Sequence, residues 1–206
     1  MAYPHSFAET IADGAVHATG LAFAVLASVV LLYQIGDADV PLVPAVLYCG
    51  CMVLAFSASA AYHLSPIDAL RPLLNRIDHA AIYFKIAGTY TPLVALLGTA
   101  SAYAVLGVIW ALATVGAVAK LWFWRTDGRG SLALYLGMGW FSVLLIWPMW
   151  QRLPGQAMTL VVLGGLIYSL GTIVFSREAM RFQNAIWHSF VLTASVCFFL
   201  AIFLSL

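Results

Sequence analysis

Apolar residues run along this chain in seven blocks, at positions 15–33, 41–62, 79–97, 102–124, 132–150, 157–175 and 185–206. A helix needs about 20 predominantly apolar residues to cross a ~30 Å hydrocarbon core, and each block meets that length. Backbone groups in hydrocarbon must pair within their own segment, so blocks of this kind are predicted as α-helices. The breaks carry turn residues: Gly36-Asp37, Pro66 with Pro72, Gly98, Gly128 with Gly130, Pro154-Gly155 and Arg177-Glu178. The shortest break, Gly98 to Ser101, matters most, because without it the third and fourth blocks merge into a run too long for one crossing. The pattern predicts an all-α integral membrane protein, a seven-transmembrane helix bundle forming a single domain over 1–206. No repeat of the inverted kind common in transporters stands out.

Composition agrees: 64% of residues are hydrophobic and 8% charged, whereas soluble domains carry about 25% charged residues. The net charge of +1 gives no reason to expect nucleic acid as a partner. Residues 1–14 contain no Lys or Arg but do contain Glu9 and Asp13, which is unlike the basic start of a signal peptide. Cys49, Cys51 and Cys197 fall in apolar runs with no metal-motif spacing and read as packing residues.

The placement of Lys and Arg sets a direction. Arg71, Arg76, Lys120, Arg125, Arg129, Arg177 and Arg181 flank the loops on the N-terminal side of the membrane, while the opposite side carries only Arg152. Basic residues collect on the cytoplasmic side, so the N-terminus is expected in the cytoplasm and the C-terminus outside. Trp122, Trp124, Trp147 and Trp150 near span ends fit an interfacial aromatic belt.

That direction gives the polar residues inside the spans a common depth. His17 opens span one, His63 closes span two, Asp78 and His79 open span three, and Asn184 and His188 open span seven, all at the cytoplasmic end. Intramembrane polar residues are costly and are functional candidates by default. Imidazoles with a carboxylate suit a transition metal, and a His/carboxylate set is common for zinc, which can activate a water for hydrolysis. Each residue also has a plainer role. His17 and His79 can be interfacial hydrogen-bonding groups, and Asp78 can N-cap span three. Asp78 and His79 lie about 100° apart on a helix, so at most one is expected to face a centre. Ser59, one turn from His63 on the same face, can support that imidazole or simply be a small packing residue. Glu9, Asp13 and His17 share one helical face, either of an interfacial helix or turned towards the site. Lys85 can snorkel to the interface or pair inside the bundle.

At these residues the chain resembles the haemolysin III-related branch of the progestin and adipoQ receptor superfamily. The resemblance rests on Ser59-Ala60-Ala61-Tyr62-His63, on Asp78-His79-Ala80-Ala81-Ile82-Tyr83 with Ala87-Gly88-Thr89-Tyr90-Thr91-Pro92, on Tyr135 to Trp140, and on Ala185 to Leu192. The short termini are similar to the prokaryotic branch, which implies a bacterial inner membrane. The resemblance implies seven helices with the N-terminus inside. It also implies a zinc ion held by a span-two His and a His-x-x-x-His pair on span seven, with a span-three Asp holding the bound water. Carried over, these are His63, His188 and Asp78, but the first member of the span-seven pair is Asn184, a poor zinc ligand. The shell is then completed by Asp78 directly, by His17 or by water, or the metal is weak or absent. The expected function is a zinc-dependent hydrolase of lipid amide or ester bonds in the cytoplasmic leaflet, with a membrane lipid as substrate and Asp78 and Ser59 as its catalytic groups. The alternative is a regulator or receptor of membrane lipids in which the same residues form a structural metal clasp. A pore or a transporter ranks lower.

Overall fold

The computed structural model describes residues 6–36, 41–123, 129–177 and 179–206. Asp37, Trp124, Arg125, Gly128 and Glu178, used above as break, belt and charge markers, lie outside the described residues. The helices are α1 (Phe7–Gly36), α2 (Leu42–Leu64), α3 (Arg71–Leu97), α4 (Ala100–Trp122), α5 (Arg129–Trp140), α6 (Ile146–Arg152), α7 (Gly155–Phe175) and α8 (Gln183–Phe203). A short 3₁₀ turn, Asp68–Leu70, leads into α3, and a second, Phe141–Leu145, joins α5 to α6. Taken together, α5, this turn and α6 make one crossing, so the described residues hold seven helical segments long and apolar enough to span a membrane. The protein is a multi-pass membrane protein. Its outer face is correspondingly apolar, with Leu26 65% and Val43 68% exposed.

Several boundaries differ from the sequence expectation for local reasons. Helix α1 starts eight residues before position 15 because Ser6 and Glu9 form a capping box. The Ser6 amide donates to Glu9 Oε2 at 2.8 Å, and the Glu9 amide donates to Ser6 Oγ at 3.4 Å. Helix α3 starts at Arg71, with Pro72 in its first turn, where a missing N–H costs nothing. Asp78 therefore sits two turns inside α3 and is not its N-cap. Gly98 ends α3 in the left-handed conformation at φ 63°, and the Thr99 side chain accepts from the Ala102 amide to start α4, so the shortest break is real. The fifth span, expected as one helix over 132–150, is broken at Phe141–Leu145. Pro148 lacks an N–H, and its ring crowds the carbonyl four residues earlier. Tyr90 of α3 reaches the carbonyls of Met138 and Gly139 at 2.9 and 2.6 Å, giving freed acceptors a donor.

Helices α1 to α4 pack consecutively, α7 packs on α8, and α8 returns to α1. Helix α5 makes only light contact with α3, α4 and α7. Beside it lies a cavity of about 1320 Å³.

Candidate metal centre

The cavity reaches the end of the bundle where α1 begins, α2 ends, and α3 and α8 begin. Three helices bring imidazoles together there. His17 from α1, His63 from α2 and His188 from α8 place ligand nitrogens within 4.8 Å of one another. Their ring centroids form a near-equilateral triangle, 4.8 Å from His17 to His63, 4.4 Å from His17 to His188 and 4.6 Å from His63 to His188.

Local helix geometry fixes how two of these rings are presented. His17 Nδ1 donates to the carbonyl of Asp13 at 2.8 Å, and His188 Nδ1 donates to the carbonyl of Asn184 at 2.9 Å. A carbonyl can only accept, so these contacts put the proton on Nδ1 and leave Nε2 of each neutral ring as an acceptor. Both Nε2 atoms then face Ser59 Oγ, each at 3.2 Å. A hydroxyl carries one proton and can satisfy only one of them. The second lone pair is directed at the same point with no donor from Ser59, which is the demand a cation meets.

Asp13 completes the arrangement from below. Its carboxylate lies 3.4 Å from Nδ1 of His17 and 3.4 Å from Nδ1 of His63, and the residue is 4% exposed. A carboxylate behind a ligating imidazole orients the ring and raises its basicity. Glu9, one turn earlier, accepts the backbone N–H of Phe182 at 3.0 Å and so ties α1 to the start of α8. The stripe of Glu9, Asp13 and His17 thus turns into the bundle.

The donor set fits a borderline metal such as zinc. Zinc–imidazole bonds of ~2.0–2.1 Å place tetrahedral ligand nitrogens roughly 3.4 Å apart, closer than the observed spread of up to 4.8 Å. His63 and His188, expected as ligands, are in the group, and His17 joins them. Asp78 and His79 line the same cavity, and Asp78 is buried, yet neither has an atom in the ligand group. His79 Nδ1 is engaged by the Asn75 carbonyl at 2.8 Å. Asn184 lines the cavity and contributes its carbonyl to His188. Asp13 entered the expectation only through the stripe with Glu9 and His17 and was given no site role of its own. Its signal was the i, i+4 spacing to His17 combined with the capping box, which together carry α1 far enough back to hold it inside the bundle.

A seven-helix membrane protein with a three-imidazole group at one end of its bundle is the class these features define. A family profile described as Haemolysin-III related matches residues 6–199, and the chain belongs to that family, within the progestin and adipoQ receptor superfamily. It is similar to Hemolysin-3 of Bacillus cereus, 34% identical over 94% of this chain and 90% of that protein. It is also similar to Hemolysin-3 homolog of Bacillus subtilis (strain 168), 35% identical over 94% of this chain and 92% of the relative. Monocyte to macrophage differentiation factor of Homo sapiens is 28% identical over 84% of this chain and 74% of its own length.

Proposed function

We propose that the protein is a zinc-dependent hydrolase of amide or ester bonds in membrane lipids, working at the cytoplasmic end of the bundle with its N-terminus inside. The observation that carries this reading is the convergence of the His17, His63 and His188 nitrogens on one point at the mouth of a large, mostly apolar cavity. These three side chains would hold the metal, which when bound supplies Lewis acidity and lowers the pKa of a water. Asp13 holds the His17 and His63 rings in register. Ser59 Oγ stands between two imidazoles, where it can orient a water or a carbonyl oxygen by hydrogen bonding. Asp78, a buried carboxylate in the cavity wall, takes a proton as general base. The apolar wall holds an acyl chain and keeps bulk water away.

The test is metal content and turnover of purified protein. Stoichiometric zinc, release of fatty acid from a model lipid amide or ester, and a rate reduced about 10²-fold or more in Asp78→Asn support the reading. Zinc-loaded protein that turns over none of these substrates would reject it.

The second reading is a non-enzymatic clasp. It is favoured by the Asp13 contacts to His17 and His63 and the Glu9 bond to Phe182, which join α1, α2 and α8 without any chemistry. In that case removing the metal lowers thermal stability, and Asp78→Asn changes nothing.

A further inference from the structure

Lys85 is the polar residue the hydrolase reading leaves unused. It lies fourteen residues past the start of α3 and twelve before its end. At 1.5 Å per residue that is roughly 21 and 18 Å, well beyond what a lysine side chain spans. The ammonium therefore reaches neither end of α3. The expected alternative, an ion pair, is absent too: no carboxylate among the described residues lies within ion-pair distance of it. Instead its ammonium stands over the Phe56 ring, 4.3 Å from the centroid, and 5.5 Å from the centroid of Tyr168, in the wall of the cavity.

The register places this group in a second polar layer. Phe56 is seven residues from His63 on α2, Lys85 seven from Asp78 on α3, and Ser195 seven from His188 on α8. Seven residues make two turns, so each returns to the same face about 10 Å deeper. Tyr168 of α7 joins the layer through its hydroxyl, 3.3 Å from Ser195 Oγ. Phe56 is wedged against α1 at Gly20, where an added Cβ would meet its ring at 2.8 Å, so the aromatic platform under the ammonium is held in place. A cation at this depth is costly unless something compensates for lost water, and aromatic faces do so only in part. An anion in the cavity completes the compensation.

We infer that Lys85, with Phe56 and Tyr168, is an anion subsite about two helical turns below the histidines, so that the cavity takes an amphiphile bearing a carboxylate or phosphate. The inference rests on the hydrolase reading for calling that occupant a substrate or product. It assigns the chain a preference for acidic over neutral lipids. The carboxylate of a free fatty acid and the phosphate of an acidic lipid present the same chemistry to a lysine.

The test is equilibrium binding without turnover, using protein in nanodiscs of neutral phosphatidylcholine. The probes are oleate, octadecyl phosphate and oleyl alcohol. The proteins are the parent, Lys85→Gln and Lys85→Arg, each also carrying His188→Ala so that a carboxylate bound at the metal is not counted. Oleate or octadecyl phosphate should bind the parent more tightly than the alcohol, weaken roughly tenfold or more in Lys85→Gln, and recover in Lys85→Arg. Which of the two anions binds better tells a free acid from a phospholipid source. Equal affinity of Lys85→Gln and parent for both anions overturns the inference. So does a loss that extends equally to oleyl alcohol, or a parent that prefers the alcohol. A hydrolase with unchanged anion binding in Lys85→Gln would reject the subsite and leave the reaction standing, and the converse result would do the opposite.

Discussion

Replacing His17 by Ala tests the ligand set most directly, because the family resemblance points to position 184 for a ligand and the structure points to position 17. Structural zinc sites bind with about 10–16 kcal/mol shared over four ligands, or ~2.5–4 kcal/mol per ligand. Losing one of three imidazoles should therefore weaken zinc roughly 10²–10³-fold. The geometry adds a second arm. Position 184 lies four residues before His188 on one helical face and lines the same cavity. Asn184→His in the His17→Ala background should then restore most of the loss, since it moves the third imidazole from α1 to α8. Competition titration of the purified proteins against a zinc chelator reads both effects, and a size-exclusion profile checks folding. If His17→Ala keeps the parent's zinc affinity, His17 is not a ligand and the convergence of the three rings is packing alone.

Other expectations follow from the same contacts. Asp13→Asn keeps the shape but removes the charge behind His17 and His63, and should weaken zinc about 10–100-fold by the same titration; an unchanged affinity would show that the carboxylate does not support the rings. Glu9→Ala removes the acceptor for the Phe182 amide and should lower stability by about 1.5–3 kcal/mol in thermal unfolding. Glu9→Gln, which retains an acceptor oxygen, should lose less. Gly88→Ala pushes a Cβ to 2.6 Å from Cys51 Cβ where α3 crosses α2, and should cost about 1–3 kcal/mol of stability; an unshifted melting temperature would contradict the close crossing.

The spans were legible in the sequence because hydrocarbon tolerates no unpaired backbone, so length and apolarity settle most of the architecture. The ends were less so. Positions 7–14 and 71–78 are helical but polar enough to read as flanks, although Asp13 and Asp78 within them are buried in the bundle. Pattern reading assigns such stretches to loops. This is why a capping role stood open for Asp78 beside its role in the site, and snorkelling for Lys85. The common depth of His17, His63, Asp78 and His188 was legible, because it needs only the direction of each helix. Which of them meet was not. That depends on the rotation of α1 against α2 and α8, which is fixed by contacts such as Glu9 to Phe182 between residues 173 positions apart. The break in the fifth span was marked by Pro148, but a proline in a membrane helix is also compatible with a mere kink, and the Tyr90 bonds that favour a full interruption come from another helix.

Joining α1 to α8 has a consequence for biogenesis. His17 leaves the ribosome 171 residues before His188, so the centre cannot exist until the last helix has been made and inserted. Until then Asp13, His17 and His63 wait in the first helical hairpin, polar and only partly covered. Closing a loop of that length is entropically slow, and the final helix must arrive with its N-terminal end seated against Glu9 before the three rings can meet. Assembly of the centre is thereby made to report completion of the fold. A chain halted before α8 retains six hydrophobic spans and yet lacks the third imidazole, so the metal capture proposed above would require the closed fold.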